Sequence, residues 1–179
     1  MKLGKGKESN TPMASRAKPK SQLTSATSHL DRVDRQILRT LQKDGRIAIS
    51  ELARTVHLTT TPCYERVKRL ERDGYIRGYT ALLNAKSLGA GLLVFVEVCV
   101  DRTTPDIMAR FQATIQRFDE VLECHTVAGN FDYLIKVRVE DMNAFGRFLS
   151  EKLIPAPGIM QTRTYVVIAE IKCSAEVII

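Results

Sequence analysis

The sequence predicts an α+β chain: three short helices in the front half, then strands and helices in the order β-α-β-β-α-β. Three observations predict it. The front half places apolar residues at helical spacing between capping and stop residues. The back half alternates short Val-rich runs with amphipathic stretches. A small-residue stretch, 85–91, with glycines at 89 and 91, divides the two rhythms.

Composition bounds the possibilities. The chain has 179 residues, of which 44% are hydrophobic, enough to fill one large or two small cores. No apolar run approaches the roughly 18 residues a membrane helix needs. The first residues lack the apolar core of a secretory signal, so a cytoplasmic location is expected. The four cysteines, Cys63, Cys99, Cys124 and Cys173, form no CxxC pair. Neither a metal site nor a redox motif is indicated, and no cofactor is expected. The net charge of +7 is uneven: +5 over residues 1–29, +4 over 30–80 and −2 over 81–179. Only the front meets a polyanion on this reading, and charge alone leaves DNA, RNA and anionic membrane open.

Residues 1–29 are rich in Lys, Ser and Thr and poor in large apolar groups, which predicts a disordered basic arm. It adds non-specific phosphate attraction or is an idle extension. Residues 30–80 form the helix-turn-helix unit. LDRVDRQILRTLQK, 30–43, is an amphipathic helix with Leu30, Val33, Ile37, Leu38 and Leu41 inward, and Asp31 and Asp34 at the positive end of its dipole. Ser50 caps a second helix with Leu52, Ala53 and Val56 inward. The third helix follows the TTT turn. Thr61 is its expected cap, Pro62 its first residue and Gly74 its stop. Cys63, Val67 and Leu70 make a narrow inner stripe. Thr61, Glu65, Lys68, Arg69 and Arg72 make the other face. A basic helix alone reads as an ordinary solvated surface. With two helices before it, the second and third helices make a positioning and reading pair for the DNA major groove. The expected contacts are Thr59, Thr60, Thr61, Pro62, Tyr64, Glu65, Lys68, Arg69 and Arg72, with Arg77 reaching a phosphate from a short hairpin or wing over 75–79.

A linker, 81–91, follows. In the back half, 92–173, LLVFVEVCV over 92–100 is the first strand, apolar on both faces. A helix over 106–118, entered through Thr104-Pro105, turns Ile107, Met108, Phe111 and Ile115 inward. Strands over 121–128 and 131–139 flank a Gly129-Asn130 turn. Asp141 caps a second helix reaching 152, with Met142, Phe145, Phe148 and Leu149 inward. The last strand lies within 159–172, densest over 165–168, and 174–179 form a tail. This order is the split-βαβ, ferredoxin-like arrangement, with both helices on one sheet face. Leaving the other face of 92–100 wet would forfeit roughly 1.5–3 kcal/mol per large apolar side chain. A second copy is the simplest cover, so an obligate homodimer is expected.

The segments LDRVDRQILRTLQKDGRI, TPCYERVKRLERDGYIRGYTALLN, LLVFVEV, ECHTVAGNFDYLIK and TRTYVV resemble the Lrp/AsnC (feast-famine) family of prokaryotic transcription regulators. The resemblance covers residues 30–172. It implies a winged helix-turn-helix domain joined to a regulation-of-amino-acid-metabolism (RAM) domain. It also implies double-stranded DNA as partner, dimers assembling to octamers, a nucleoid-associated bacterial protein, and an amino-acid effector bound between dimers. In the leucine-responsive branch the effector positions match Asp132, Met142, Tyr165, Val166 and Val167, beside the turn Gly129-Asn130. Asn130 stands where the family usually has Asp. By residues alone, Asp132 reads as a surface charge and Met142 as a core residue.

Rival functions are weaker on the same residues. Cys124 and His125 are neighbours on a strand and point to opposite faces, so they make no catalytic dyad and an enzyme is not expected. The alternative is an amino-acid-sensing regulatory subunit of a biosynthetic enzyme, which the basic front half argues against. An RNA-binding module would need exposed aromatics on central strands.

Overall fold

The computed structural model describes residues 30–101 and 105–179; the basic arm over 1–29 and Thr104 lie outside the described residues. The first helix, α1 (Arg32–Lys43), starts later than its apolar pattern. Asp31 stays extended and caps it. Its carboxylate accepts the Asp34 N–H at 2.7 Å, while the Asp34 carboxylate accepts the Asp31 N–H at 3.2 Å. In α2 (Ile49–Thr55) the cap is Ala48, and Ser50 falls inside the first turn instead of capping it. In α3 (Thr60–Arg72) the cap is Thr59. Thr61 and Pro62 are therefore its second and third residues, not cap and first residue. Proline is tolerated there because the N–H groups of a first turn are unpaired in any case. Gly74 ends α3 as expected, at φ 78°, donating to the Glu71 carbonyl at 3.1 Å. Ile37, Leu38, Leu52, Ala53, Val56, Cys63, Val67 and Leu70 form the shared core.

The expected hairpin over 75–79 and the strand after it do not form in the single chain; no strand lies between α3 and residue 92. Alternating apolar residues specify a strand only where an edge is available to pair with. Here Tyr79, Leu82 and Leu83 stand exposed. A 3₁₀ turn, Lys86–Leu88, closes on Gly89 at φ 73° and delivers the chain to the sheet.

The sheet is antiparallel, in the order β2-β3-β1-β4, as the β-α-β-β-α-β pattern requires. Its strands are β1 (Leu92–Val100), β2 (Val121–Thr126), β3 (Tyr133–Val139) and β4 (Ile159–Val166), with α4 (Ile107–Ile115) and α5 (Met142–Arg147) on one face. Val94, Val96, Val98 and Val100 project into the core with Ile135 and Val137, beneath Phe111, Phe145 and Phe148. Phe111 meets Tyr133 at 4.6 Å between ring centroids. Asp141 caps α5 through the Ala144 N–H at 2.7 Å, and the helix continues as a π turn, Phe148–Leu153. Two expected core residues are not inside. Met108 lies at the exposed flank of the Ile107-Phe111-Ile115 row, and Met142 is 54% exposed at the first turn of α5. Strand β4 ends before the apolar run does, leaving Ile168 fully exposed.

The other sheet face is half-covered by its own side chains. Phe95 lies in register between Lys136 and Tyr165, and Glu97 between Leu134 and Arg163. Tyr165 donates its hydroxyl to Glu97 at 3.0 Å; Lys136 and His125 pair with Glu123 at 2.8 and 3.2 Å. Those two pairs, Lys136 first, hold the Glu123 carboxyl below the usual range.

Gly158 lets β4 pass beneath α4. It has φ 78°, and an added Cβ would lie 2.2 Å from Ile107 Cγ1. Gly158→Ala is expected to lower stability by about 2–3 kcal/mol in urea melts, from overpacking and left-handed strain together. A melt within about 0.5 kcal/mol of the parent would refute the close approach.

Candidate nucleic-acid interface and ligand-sensing residues

The outward face of α3 carries Thr60, Thr61, Tyr64, Glu65, Lys68 and Arg72, all exposed. Thr59 sits just before it and Arg77 beyond it, both exposed, and Pro62 is half-buried. Lys68 lies 5.6 Å from the Tyr64 ring centroid and 2.8 Å from Glu71, which also accepts the Tyr79 hydroxyl at 3.1 Å. Hydrogen bonding to Glu71 raises the Lys68 pKa, so the ammonium stays charged. Arg72 pairs with Asp73 at 3.2 Å. Hydroxyls, an aromatic edge and cations thus share one exposed ridge, which suits a groove flanked by phosphates.

Arg69 is placed differently, on the flank of that ridge. Its Nη2 lies 2.5 Å from Asp34, whose side chain is 1% exposed on α1. Arg66 spans the same gap, with Nη1 2.5 Å from Asp31 and 2.8 Å from Asp34. These carboxylates raise the Arg66 pKa, Asp31 first; the Asp34 backbone N–H, then Arg66, lower that of Asp31. Sequence reasoning put Arg69 on the outward face and missed Arg66 and Asp34 as a positioning set. One signal was present. Arg69 lies about 80° around the helix from Thr61, on the flank, whereas Lys68 and Arg72 lie within about 20°.

The seven expected effector residues divide into two groups. Gly129 and Asn130 are exposed in the turn after β2. Asp132 beside them is buried, not a surface charge. Its Oδ2 accepts the Val100 N–H at 2.8 Å, its N–H donates to Val98 at 2.9 Å, and its carbonyl accepts from Val127 at 3.0 Å. It ties the turn to the end of β1. Val166 pairs opposite Val94, the Val167 N–H donates to Leu93 at 3.0 Å, and Met142 follows β3, whose Val139 pairs with Leu92. Tyr165 lies opposite Phe95, between the ends. The register thus separates Asp132 from Met142 by the length of β3, roughly 20 Å. One chain does not bring the seven into one pocket.

Among the described residues, no group of three His, Cys, Asp or Glu is placed to hold a metal ion. Cys124 and His125 pair with successive β3 residues, Ile135 and Leu134, so their side chains diverge. No described helix is long and apolar enough to cross a membrane.

Comparison with known proteins agrees with both units. Residues 30–77 match the winged helix-turn-helix DNA-binding family, and residues 93–177 the Lrp/AsnC ligand binding domain. The chain is 55% identical over 150 residues to the leucine-responsive regulatory protein of Salmonella typhimurium, covering 84% of this chain and 92% of that protein. Its counterpart in Escherichia coli K12 is 54% identical over the same shares. Among solved structures, a Neisseria meningitidis transcriptional regulator in complex with L-Met superposes with TM-score 0.80 at 36% identity, over 83% of this chain and 96% of that one. An AsnC family regulator from Agrobacterium tumefaciens gives TM-score 0.78 at 34% identity, over 82% and 95%.

The two cations Lys68 and Arg69 are expected to separate on mutation. Lys68→Ala should weaken duplex binding about three- to tenfold with an unchanged melting temperature. Arg69→Ala should cost about 1–3 kcal/mol of stability, because it strips a buried carboxylate of one partner. Melts and anisotropy titrations on both variants check this, and equal melting temperatures would detach Arg69 from Asp34.

Proposed function

The chain belongs to the Lrp/AsnC family and is a DNA-binding transcriptional regulator, and on that premise we propose how it reads DNA and what it senses. The observation that carries the reading is the split on α3: Arg66 and Arg69 face the α1 carboxylates, while the Tyr64-Lys68-Arg72 ridge faces outward. Thr60, Thr61, Tyr64, Glu65 and Lys68 make base or near-base contacts; Arg72, Arg77 and the basic arm contact phosphates, giving salt-dependent affinity. We assign DNA binding to residues 30–80, a linker to 81–91, sensing and assembly to 92–173, and a tail to 174–179.

The effector is an amino acid, with leucine the first candidate. The names of the Salmonella and E. coli relatives and the L-Met complex of the Neisseria regulator support this choice. Because the seven candidate residues lie in two groups, the site takes its turn residues, Gly129, Asn130 and Asp132, from one copy. Met142, Tyr165, Val166 and Val167 come from another. The zwitterion's ammonium meets the turn and its side chain the apolar group. Two copies pair through the open sheet face around Phe95, and dimers assemble further, to octamers. The protein works in the bacterial cytoplasm on the nucleoid. An amino acid bound between dimers shifts DNA affinity only by its unequal affinity for the assemblies.

Phe95→Glu is expected to convert the dimer into monomers in sedimentation experiments, by burying an unpaired charge at the interface. A variant that stays dimeric would move the interface elsewhere. In a thermal-shift screen of amino acids, an apolar one should raise the melting temperature and change duplex affinity. Met142→Asp should abolish both effects while duplex binding without effector persists. An unchanged response in Met142→Asp would place the site elsewhere.

A further inference from the structure

The sheet unit reaches back to the helical unit through the tail. Gln42 holds Val177 by both sides of its backbone. Its Nε2 donates to the Val177 carbonyl at 3.1 Å and its Oε1 accepts the Val177 N–H at 2.6 Å. An amide side chain here does what a neighbouring strand does in a sheet. Arg39, one turn earlier on the same face of α1, donates from Nε to the Ile179 main-chain oxygen at 3.0 Å, and again from Nη2. The Ile179 side chain is half-buried against the helical core. Ser174 Oγ accepts the Glu176 N–H at 3.1 Å just before the docked residues. Val177 and Ile178 point their side chains to solvent, at 69% and 102% exposure, so the contact reads backbone and one apolar end. Arg39 lies about 140° around α1 from Asp34, so this face is separate from the one that anchors α3.

We propose that the outer face of α1 is a docking strip for an extended segment, occupied by residues 176–179 of the same chain. The docked segment straps the DNA-binding unit to the sensing unit. Without the strap, the linker over 81–91 joins them, and each must be ordered separately when two helical units engage one duplex. Ordering them in advance is preorganisation, which raises affinity without new DNA contacts. Backbone recognition also makes the strap tolerant at 177 and 178 and intolerant at Arg39, Gln42 and Ile179.

Hydrogen exchange on the full chain tests the strap. Gln42→Ala should speed exchange at the Val177 amide on the order of tenfold, since its acceptor is a side chain. Gln42→Glu keeps that acceptor and should retain the protection, which separates loss of the bond from loss of the helix. Val177→Ala and Ile178→Ala should leave α1 and tail exchange unchanged, whereas Ile179→Asp should release the tail. Parent-like protection of Val177 in a folded Gln42→Ala chain would overturn the docking. Occupancy by the same chain is tested with Lys43→Cys, which borders the same groove without holding the tail, and Val177→Cys, in a chain with Cys99, Cys124 and Cys173 changed to serine, treated with a short bismaleimide. A cross-linked product of single-chain mass is expected. Covalent pairs of chains would overturn the same-chain assignment, and no cross-link would overturn the contact itself.

Discussion

The buried carboxylate of Asp34 is the constraint on which the reading surface depends. It has almost no access to water, and both its oxygens are engaged by α3, one by Arg66 and one by Arg69. A buried charge without such partners is worth several kcal/mol of destabilisation, so the helix cannot roll without exposing that cost. The apolar stripe Cys63-Val67-Leu70 sets α3 on the core, but a stripe of three side chains tolerates some rotation. The two arginine–carboxylate contacts remove that freedom, because bonds to a fixed carboxylate are directional. What is left outward is the ridge from Thr60 to Arg72. The same network also holds Asp31, the cap of α1, so capping, helix packing and the aim of the reading helix share their atoms.

The back half solves a different problem. Strand β1 is central, covered by α4 and α5 on one face and by half-exposed side chains on the other. Its open face is neither a bare apolar wall nor an ordinary wet surface. Phe95 is flanked by Lys136 and Tyr165, and the charges around it are paired within the chain. Such a face loses little by meeting a copy of itself, since its ions already have partners. The proposed sensing site follows the same logic, with the two ends of one sheet contributing to different pockets. The tail strap then relates sheet to helices inside each chain.

Much of this architecture is legible in residue order. The element sequence, the bounds of β1, the stop at Gly74 and the cap at Asp141 follow from local pattern, because caps and periodicity act within a few residues. What eludes local reading depends on distant partners. Arg69 looks like another outward cation until Asp34, 35 residues away, is placed beside it. Asp132 looks like an edge charge until the end of β1 is seen to donate to it. The wing over 75–79 obeys a strand pattern yet has no edge to join. Met108 and Met142 are apolar by type and exposed by position. The seven effector positions come from the family resemblance as one set, and only the strand register reveals how far apart they lie in one chain.

The central claim is that the aim of α3 is set by its bonds to α1. Asp34→Asn tests it most directly, because the amide keeps the shape and removes the charge. The measurement is duplex affinity at low salt, with helix content followed in parallel. The account predicts retained helix content and an affinity loss of about tenfold or more, the equivalent of roughly 1.4 kcal/mol. Unchanged affinity in a fully folded Asp34→Asn protein would contradict it.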